Sequence, residues 1–258
     1  MKKTNKRYLK IIIPLVVLSS IFFIVVKFSS ANNPKKDTIV VVGDTAFHEV
    51  RENYFEKMSE DEIENNVDWN SYYIFVDNSY FGKYNLYYSD KWYLFTEDRK
   101  AKKYDGELFA TNNKNIKVLS LEKNQISDFS DVEMILSSKS ISFTPNYTSS
   151  YYVDFDIDND NSVERLYVVS NLFPVDPVPD SRFFSLVFLK KDDNIFELYS
   201  SISDDSLSGC KPDITNIVDI NNDNKYEVVL GCSYYSVDGI KYNIYNFDKE
   251  KFNKLVSE

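Results

Sequence analysis

The chain has 258 residues, with 6 glycines, one histidine and two cysteines, and its formal net charge is −10 at pH 7. This acidic balance argues against nucleic acid or anionic lipid as a partner, because both bind to basic patches. The single histidine, His48, excludes a multi-histidine zinc site and, unless it serves itself, Ser-His or Cys-His catalysis. The sequence also has no glycine-rich phosphate loop.

The first 31 residues are typical of a membrane-directing segment. An apolar run covers residues 11–26, with five basic residues before it and Lys27 after it. This charge distribution predicts a single-pass transmembrane helix with a cytoplasmic N-terminus and an extracellular domain. The alternative is a signal peptide cleaved near Ala31, which would release a secreted protein. Residues 32–37 are interpreted as a polar linker.

The part of the chain after this segment is strongly acidic. Residues 1–31 hold 6 of the 30 basic residues and no acidic ones, which leaves 24 basic against 40 acidic residues beyond them. Such a surface suits cations, although a solubilising charge accounts for most of it. The remaining length is sufficient for one sizeable β domain or two small ones.

Residues 38–150 are predicted to form a β-rich region with short helices. A helix is expected over residues 47–66, restarted by a capping box at residues 59–62. A second capping box at residues 130–133 predicts a helix through Leu136. β-branched and aromatic residues predict strands at 38–42, 72–76, 84–88, 92–96, 107–110 and 116–119.

Residues 151–258 contain one acidic pattern twice. Residues 156–164 read D-I-D-N-D-N-S-V-E, and residues 219–227, which begin 63 positions later, read D-I-N-N-D-N-K-Y-E. We call these the first loop and the second loop. Both place oxygen-bearing side chains at positions 1, 3 and 5 and a glutamate at position 9. Apolar runs typical of strands flank each loop, so each is expected at the tip of a β-hairpin.

This spacing suits calcium, a hard cation that takes about 6–8 oxygen ligands. An EF-hand would need its glutamate at position 12, so the pattern is not that motif. Position 7 can add a backbone carbonyl. The expected ligands are Asp156, Asp158, Asp160, Ser162 and Glu164 in the first loop and Asp219, Asn221, Asp223, Lys225 and Glu227 in the second. The alternative is two polar hairpin turns, in which Asn and Asp are common in any case.

The frame D-x-D-x-D-x-x-x-E between two apolar strands resembles the calcium hairpins of FG-GAP and VCBS-type repeats of bacterial surface proteins. The resemblance covers residues 151–170 and 214–231 and implies the ligand positions given above. Two departures matter. Asn161 and Asn224 replace the usual glycine at position 6, where Asn is the next best residue for a left-handed backbone. Position 3 of the second loop is Asn221 rather than a carboxylate.

Each loop opens a predicted module of four strands. The further strands are expected at 184–189 and 195–202 in the first module, and at 240–247 and 252–256 in the second. The predicted fold class is therefore mainly β, with antiparallel sheets arranged as a sandwich or as partial-propeller blades, together with one transmembrane helix and one or two short helices. The predicted domains are residues 38–150 and the two-module domain 151–258.

The two cysteines flank the second loop. Pairing Asp219 with Glu227 in a hairpin would bring Cys210 and Cys232 roughly opposite each other, and export would place them where disulfides persist. We therefore predict a Cys210–Cys232 disulfide. The alternative is two buried thiols.

These features favour a membrane-anchored extracellular module that is stabilised by calcium and is not an enzyme. We expect it to bind a cell-wall polymer or another protein. One alternative is a hydrolase of a cell-surface polymer that uses a pair of carboxylates. Another is a structural subunit of an envelope assembly, which would expose a large apolar patch.

Overall fold

A computed structural model describes residues 38–51, 54–145, 148–172, 182–205, 207–235 and 237–257. The predicted membrane segment and the linker lie outside the described residues. Within the described ranges, no helix is long and apolar enough to cross a membrane. Residues 38–258 form one compact unit.

The fold is mainly β, as predicted, and its largest sheet has nine strands. In chain order these strands are β1 (Ile39–Val42), β2 (Thr45–Arg51), β3 (Tyr54–Lys57), β4 (Ser71–Val76), β5 (Ser79–Tyr88), β6 (Trp92–Phe95), β7 (Ala101–Lys102), β8 (Leu108–Thr111) and β18 (Val256–Ser257). Their order across this sheet, sheet A, is β18-β3-β2-β1-β8-β4-β5-β6-β7. All its pairings are antiparallel except that of β18 with β3, which is parallel.

The two predicted modules form the two smaller antiparallel sheets. Sheet B has the order β17-β16-β15-β14-β9 and sheet C the order β10-β11-β12-β13. The strands are β9 (Lys117–Val118), β10 (Ser149–Phe155), β11 (Glu164–Ser170), β12 (Phe183–Lys191), β13 (Asn194–Ser203), β14 (Lys211–Asp219), β15 (Glu227–Tyr234), β16 (Val237–Asp248) and β17 (Lys251–Lys254). Each module is thus a four-stranded meander whose first hairpin carries an acidic loop.

Two short helices complete the secondary structure of the described residues: α1 (Glu60–Asn66) and α2 (Ser130–Ser138). The capping box at Ser59 is confirmed, since its hydroxyl accepts from the Glu62 N–H while Glu62 accepts from the Ser59 N–H. The second predicted capping box is wrong. Ser130 is already helical, the N-cap residue is Phe129, and Asp128 accepts from the Ser130 N–H at 3.0 Å.

The predicted helix over residues 47–66 is also wrong, because its first half forms the hairpin β2–β3. His48 pairs with Glu56, and Phe47 and Phe55 are both buried against sheet B. The apolar residues of this segment fit a helical period as well as a strand. Pairing of β2 with the buried strand β1 favours the strand. This pairing is a tertiary contact, so the periodicity of the local sequence does not reveal it.

The three sheets pack in the order A, B, C, and strands at the centre of the sheets, such as β1 and β15, bury both of their faces. In β1, Val40 and Val42 pack toward sheet B, whereas Ile39 and Val41 pack toward α1. Sheet B contacts both neighbours, since its residue Val218 faces sheet A and the preceding Ile217 faces sheet C. A further cluster joins α2 to the outer face of sheet C. Alternation along the strands therefore builds four layers of apolar contact.

Two strand pairings cross the boundary predicted at residue 150. Strand β9, which precedes the boundary, pairs with β14 of the second module through Val118 and Val218. Strand β18, from the end of the second module, pairs with β3 through Val256 and Phe55. The chain segments before and after residue 150 therefore share two of the three sheets.

Candidate metal centre: two acidic loops

The two loops occupy equivalent places in their hairpins. The first joins β10 to β11, and the second joins β14 to β15. Both have positive φ at positions 4 and 6. These residues are Asn159 at 59° and Asn161 at 69°, and Asn222 at 62° and Asn224 at 66°. Asparagine tolerates this left-handed backbone better than most residues, so the asparagines at these positions make the tight turn possible.

The glutamate at position 9 ties each loop closed in the same way. Glu164 accepts from the Ile157 N–H at 3.0 Å, and Glu227 accepts from the Ile220 N–H at 2.9 Å. Both glutamates are buried, as are the two isoleucines. The apolar residue at position 2 thus anchors the loop in the core while its N–H holds one glutamate oxygen.

The aspartates at positions 1 and 5 are also oriented alike. Asp156 accepts from the Asn161 N–H at 2.9 Å, and Asp219 accepts from the Asn224 N–H at 3.2 Å. At position 5, Asp160 and Asp223 each accept from the N–H two residues later at 2.8 Å. The loops therefore share one backbone frame, although among the described residues only the first loop brings three of its carboxylates within 4.8 Å of one another.

The centre of the first loop contains an ammonium group. The Nζ of Lys191, at the end of β12, lies 2.8 Å from Asp160 Oδ2 and 2.8 Å from Glu164 Oε1. It also lies 3.0 and 3.1 Å from the two oxygens of Asp158. One lysine thus contacts three of the four carboxylates that were predicted to hold calcium.

Lys191 is well enclosed, since its side chain is only 17% exposed and the Glu164 side chain only 1%. Burial acts to lower the pKa of Lys191, but hydrogen bonds to Asp160, Glu164 and Asp158 more than offset it and raise the pKa above its ordinary value. The same contact lowers the pKa of Asp160. Lys191 is therefore charged at every pH near neutrality.

The first loop is nonetheless compact enough to fit a metal ion. One carboxylate oxygen from each of Asp156, Asp158 and Glu164 lies within 4.8 Å of the other two. The Lys191 ammonium group attracts Asp158 and Glu164, so it can bring these oxygens together by itself. The short distances between the carboxylates therefore do not distinguish a loop that holds a metal ion from one that holds an ammonium group.

The centre of the second loop has a different charge balance. Lys117 of β9 is the cation beside it, and its Nζ lies 3.9 Å from Asp219 Oδ2, at the outer limit for an ion pair. That ammonium group instead donates to Asn224 Oδ1 at 2.6 Å, and its side chain is 53% exposed. The two buried carboxylates, Asp219 and Glu227, therefore receive little compensation from Lys117.

One buried oxygen of the second loop has no hydrogen-bond partner among the described residues. Asp219 is fully buried, and among the described residues its Oδ1 accepts no hydrogen bond. Burial and the nearby charge of Asp223 raise the pKa of Asp219. Burial likewise raises the pKa of Glu227 to about 8, with the charges of Asp223 and Asp219 adding to the effect. In the absence of a cation, the second loop disfavours its own ionised form.

Strand register explains why the two centres differ. Arg165 pairs with Lys190, so the next residue along β12, Lys191, lies opposite Glu164. In the second module the residue opposite Glu227 is Asn246. Asn246 is neutral, and its Oδ1 accepts from Asn253 Nδ2 at 3.2 Å. The equivalent position in the third strand of each meander therefore holds a lysine that enters the first loop and, in the second module, an asparagine that is bonded to Asn253.

The remaining predicted ligands take local roles in the turns. Ser162 and Lys225 donate their backbone N–H groups to position 5, and their carbonyls remain the groups that position 7 was predicted to supply. Asn221 accepts from the Asp223 N–H at 3.0 Å and donates to Asp223 Oδ2 at 3.2 Å. The amide thus steadies Asp223, as a carboxylate at position 3 could not.

The two loops are linked to each other and to the N-terminal region. The Tyr226 N–H, at position 8 of the second loop, donates to the Ile157 carbonyl of the first at 2.9 Å. The equivalent carbonyl, that of Ile220, accepts from Asn113 Nδ2 at 2.9 Å. The two loops therefore lie next to each other. Asn113 approaches the second loop from the segment before β9, and Lys117 approaches it from β9 itself.

The predicted cysteine pair is confirmed. The sulfur atoms of Cys210 and Cys232 are 2.06 Å apart and both residues are buried. Cys210 directly precedes β14, and Cys232 lies in β15 opposite Pro212. The pair closes the base of the hairpin whose tip is the second loop.

Four residues were not predicted to take part in the site: Lys191, Asn246, Lys117 and Asn113. The sequence contained a signal for Lys191, because in a meander the third strand must run beside position 9 of the loop. A cation at the end of that strand is therefore a candidate partner for the loop. Asn113 and Lys117 had no such signal, since the pairing of β9 with β14 spans about 100 residues.

Comparisons with models of known protein families, with curated proteins and with solved structures give no match.

Proposed function

We propose that residues 38–258 form an extracellular, non-catalytic module whose second acidic loop binds calcium. The module is held at the cell surface by the N-terminal segment and recognises a cell-wall polymer or another protein. The observation that supports calcium is the buried Oδ1 of Asp219, which accepts no hydrogen bond from any described residue, in the same loop as the buried carboxylate of Glu227.

Burying two carboxylates without a closely paired cation is costly, because each loses its hydration. A divalent cation in the turn would compensate both charges and would complete the coordination of Asp219 Oδ1. The unfolded chain has no such arrangement of oxygens, so binding would stabilise the folded state selectively.

The donor set favours calcium over other metals. The second loop offers only oxygen ligands, from Asp219, Asp223, Glu227, the Asn221 amide and the carbonyl at position 7. Zinc would prefer histidine or thiolate ligands, which this loop lacks. Magnesium demands a stricter octahedral shell, whereas calcium accepts irregular oxygen cages.

Calcium titration of the full chain, purified in detergent and stripped with chelator, tests this proposal. Isothermal calorimetry should show binding with a dissociation constant of about 10⁻⁴–10⁻³ M. The substitution Asp219→Asn should abolish binding at the second loop. The matched control Asp193→Asn, which removes the same charge from an exposed turn, should leave it intact.

Calcium should also raise the melting temperature. With about 1 mM calcium and a dissociation constant of about 0.1 mM, linkage gives about 1.4 kcal/mol for one site. For a domain of this size that corresponds to about 3–6 °C. Equal melting temperatures in calcium and in chelator, together with no binding heat, would exclude calcium as a ligand.

We further propose that the two meanders are related repeat units of the FG-GAP or VCBS type, similar to propeller blades. Their shared features support this: four strands in sequential order, a loop in the first hairpin, and positive φ at positions 4 and 6. A test is to exchange residues 156–164 and 219–227 between the hairpins. Exchange between equivalent frames should preserve folding, and loss of the folded state in both exchanges would argue against a common repeat.

The anchor is proposed from the sequence alone. The basic residues before the apolar run favour a cytoplasmic N-terminus, and the Cys210–Cys232 pair suits an oxidising exterior. External protease on intact cells should remove the domain and leave a membrane-bound fragment. A mature chain that begins near residue 32 would instead indicate a cleaved signal peptide.

Recognition of a polymer or protein, rather than catalysis, follows from the use of the patterned carboxylates within the two loops. The full chain in detergent should cosediment with purified cell walls, or with a wall protein, without releasing soluble fragments. Release of soluble wall fragments would favour the hydrolase alternative.

A further inference from the structure

The position that a metal would occupy in the first loop already contains a positive charge. Lys191 Nζ lies within 3.1 Å of oxygens from Asp158, Asp160 and Glu164. An ammonium group has three N–H donors, and here three different carboxylates receive them. Its bonding capacity is therefore fully used inside the loop.

A calcium ion and this ammonium group are unable to share the centre. Both need the inward oxygens of Asp158 and Glu164, and like charges at such short distance repel strongly. Displacing Lys191 would require moving a side chain that is 17% exposed out from among its three partners. The first loop therefore has a resident cation despite its richer set of carboxylates.

The second loop can be compared directly with the first. Its backbone frame, its position-9 glutamate and its position-2 anchor are the same, yet the residue opposite the glutamate is Asn246. An amide brings no net charge. A second difference lies at position 1. Asp156 Oδ1 accepts from the Asp160 N–H at 3.1 Å, whereas the Asp223 N–H donates to Asn221 instead, and Asp219 Oδ1 accepts no hydrogen bond from the described residues.

We propose that Lys191 replaces calcium as the cation of the first loop, and that the residue opposite position 9 determines whether each loop binds calcium. Lysine at this position excludes the metal and asparagine admits it. The part of this proposal that concerns Asn246 rests on the proposed calcium site of the second loop, whereas the part that concerns Lys191 does not.

Exchange of the two residues tests the proposal. The full chain in detergent, stripped of metal, is titrated with calcium as wild type, K191N, N246K and K190N. The last is the control, because Lys190 pairs with Asp131 at 2.7 Å, outside the loop. The expected stoichiometries are about one calcium per chain for wild type and K190N, two for K191N, and none for N246K.

The outcomes separate this proposal from the proposed function. Two calcium ions bound by wild type, or no gain in K191N, would overturn the role of Lys191. Binding of one ion by N246K would overturn the role of Asn246. If wild type binds none and K191N binds one, the proposed function fails while Lys191 retains its role.

Folding of K191N provides a second measurement. Without its ammonium group the first loop confines four carboxylates, so the variant is expected to need calcium for its native near-ultraviolet circular dichroism. Recovery of that signal in calcium but not in an equal concentration of magnesium supports the proposal. Failure to recover it in 10 mM calcium, while K190N folds normally, counts against it.

Discussion

The two acidic loops share one backbone conformation, but the negative charge of their carboxylates is compensated differently. The first has four carboxylates and an internal ammonium group, and the second has three carboxylates, one of which keeps an unpartnered buried oxygen. A metal-binding pattern read along the chain would rank the first loop higher, because it has more charged ligands. Under our proposal the contacts across the sheet reverse that ranking, because the neighbouring strand as well as the loop itself sets which cation the loop holds.

The largest expected effect contrasts the two lysines. In chelator, Lys191→Met should lower the free energy of unfolding by about 3–5 kcal/mol, because three partly or fully buried carboxylates lose their counter-ion. Lys117→Met at the second loop should cost less than about 1 kcal/mol. Lys117 is half exposed, and its Nζ lies 3.9 Å from Asp219 Oδ2, which is a long distance for an ion pair. Urea denaturation of both variants measures the difference. Equal losses would show that the two loops do not differ as described.

The disulfide adds a second contrast, since it clamps the second hairpin, whereas the first hairpin has no cysteine. Replacing Cys210 and Cys232 by serine should cost about 3 kcal/mol in the chain-entropy model for a ring of this size. Cys232 lies five residues beyond Glu227, roughly 16 Å along the strand, so calcium stoichiometry should not change. Calorimetry of the double variant checks this. Loss of calcium binding in a variant that remains folded would mean that the hairpin transmits strain from its base to its tip.

The last expected effect is a pH dependence confined to the second loop. Glu227 has a pKa of about 8 in the folded protein and an ordinary value of 4.5. Between these values the folded state holds a proton that the unfolded chain has released, so stability in chelator should fall as the pH rises from about 5 to 8. Calcium binds the ionised carboxylate and should reduce that fall.

Melting curves at pH 5, 6.5 and 8, with chelator and with calcium, measure this effect. The variant Glu227→Gln does not titrate and should show a flatter profile in chelator. Parallel profiles for the wild type and this variant would show that Glu227 is not the titrating group.

The sequence predicted the modules well because their signals are local. Alternating apolar runs around the loops give the hairpin strands, and the spacing of the cysteines gives their pairing. The helix over residues 47–66 failed because a strand pairing with β1 competes with a helical period in the same residues.

Lys191 illustrates what the loop motif alone does not contain. Its contact with Glu164 depends on the register of β12 beside β11, and a one-residue shift would turn the side chain to the other face of the sheet. Lys117 and Asn113 approach the second loop through β9, whose pairing with β14 is long-range. Such contacts follow from the packing of the whole sheet and have no signature within a short window of sequence.

The parallel pairing of β18 with β3 has a consequence for the timing of folding. Val256 and Phe55 are about 200 residues apart, and contacts of such long range form slowly. During synthesis the outer edge of β3 remains without this neighbour until residue 257 has been made. An open strand edge is a template for pairing with other chains. The nascent protein therefore passes through a period in which its largest sheet is complete except for the strand that covers the β3 edge.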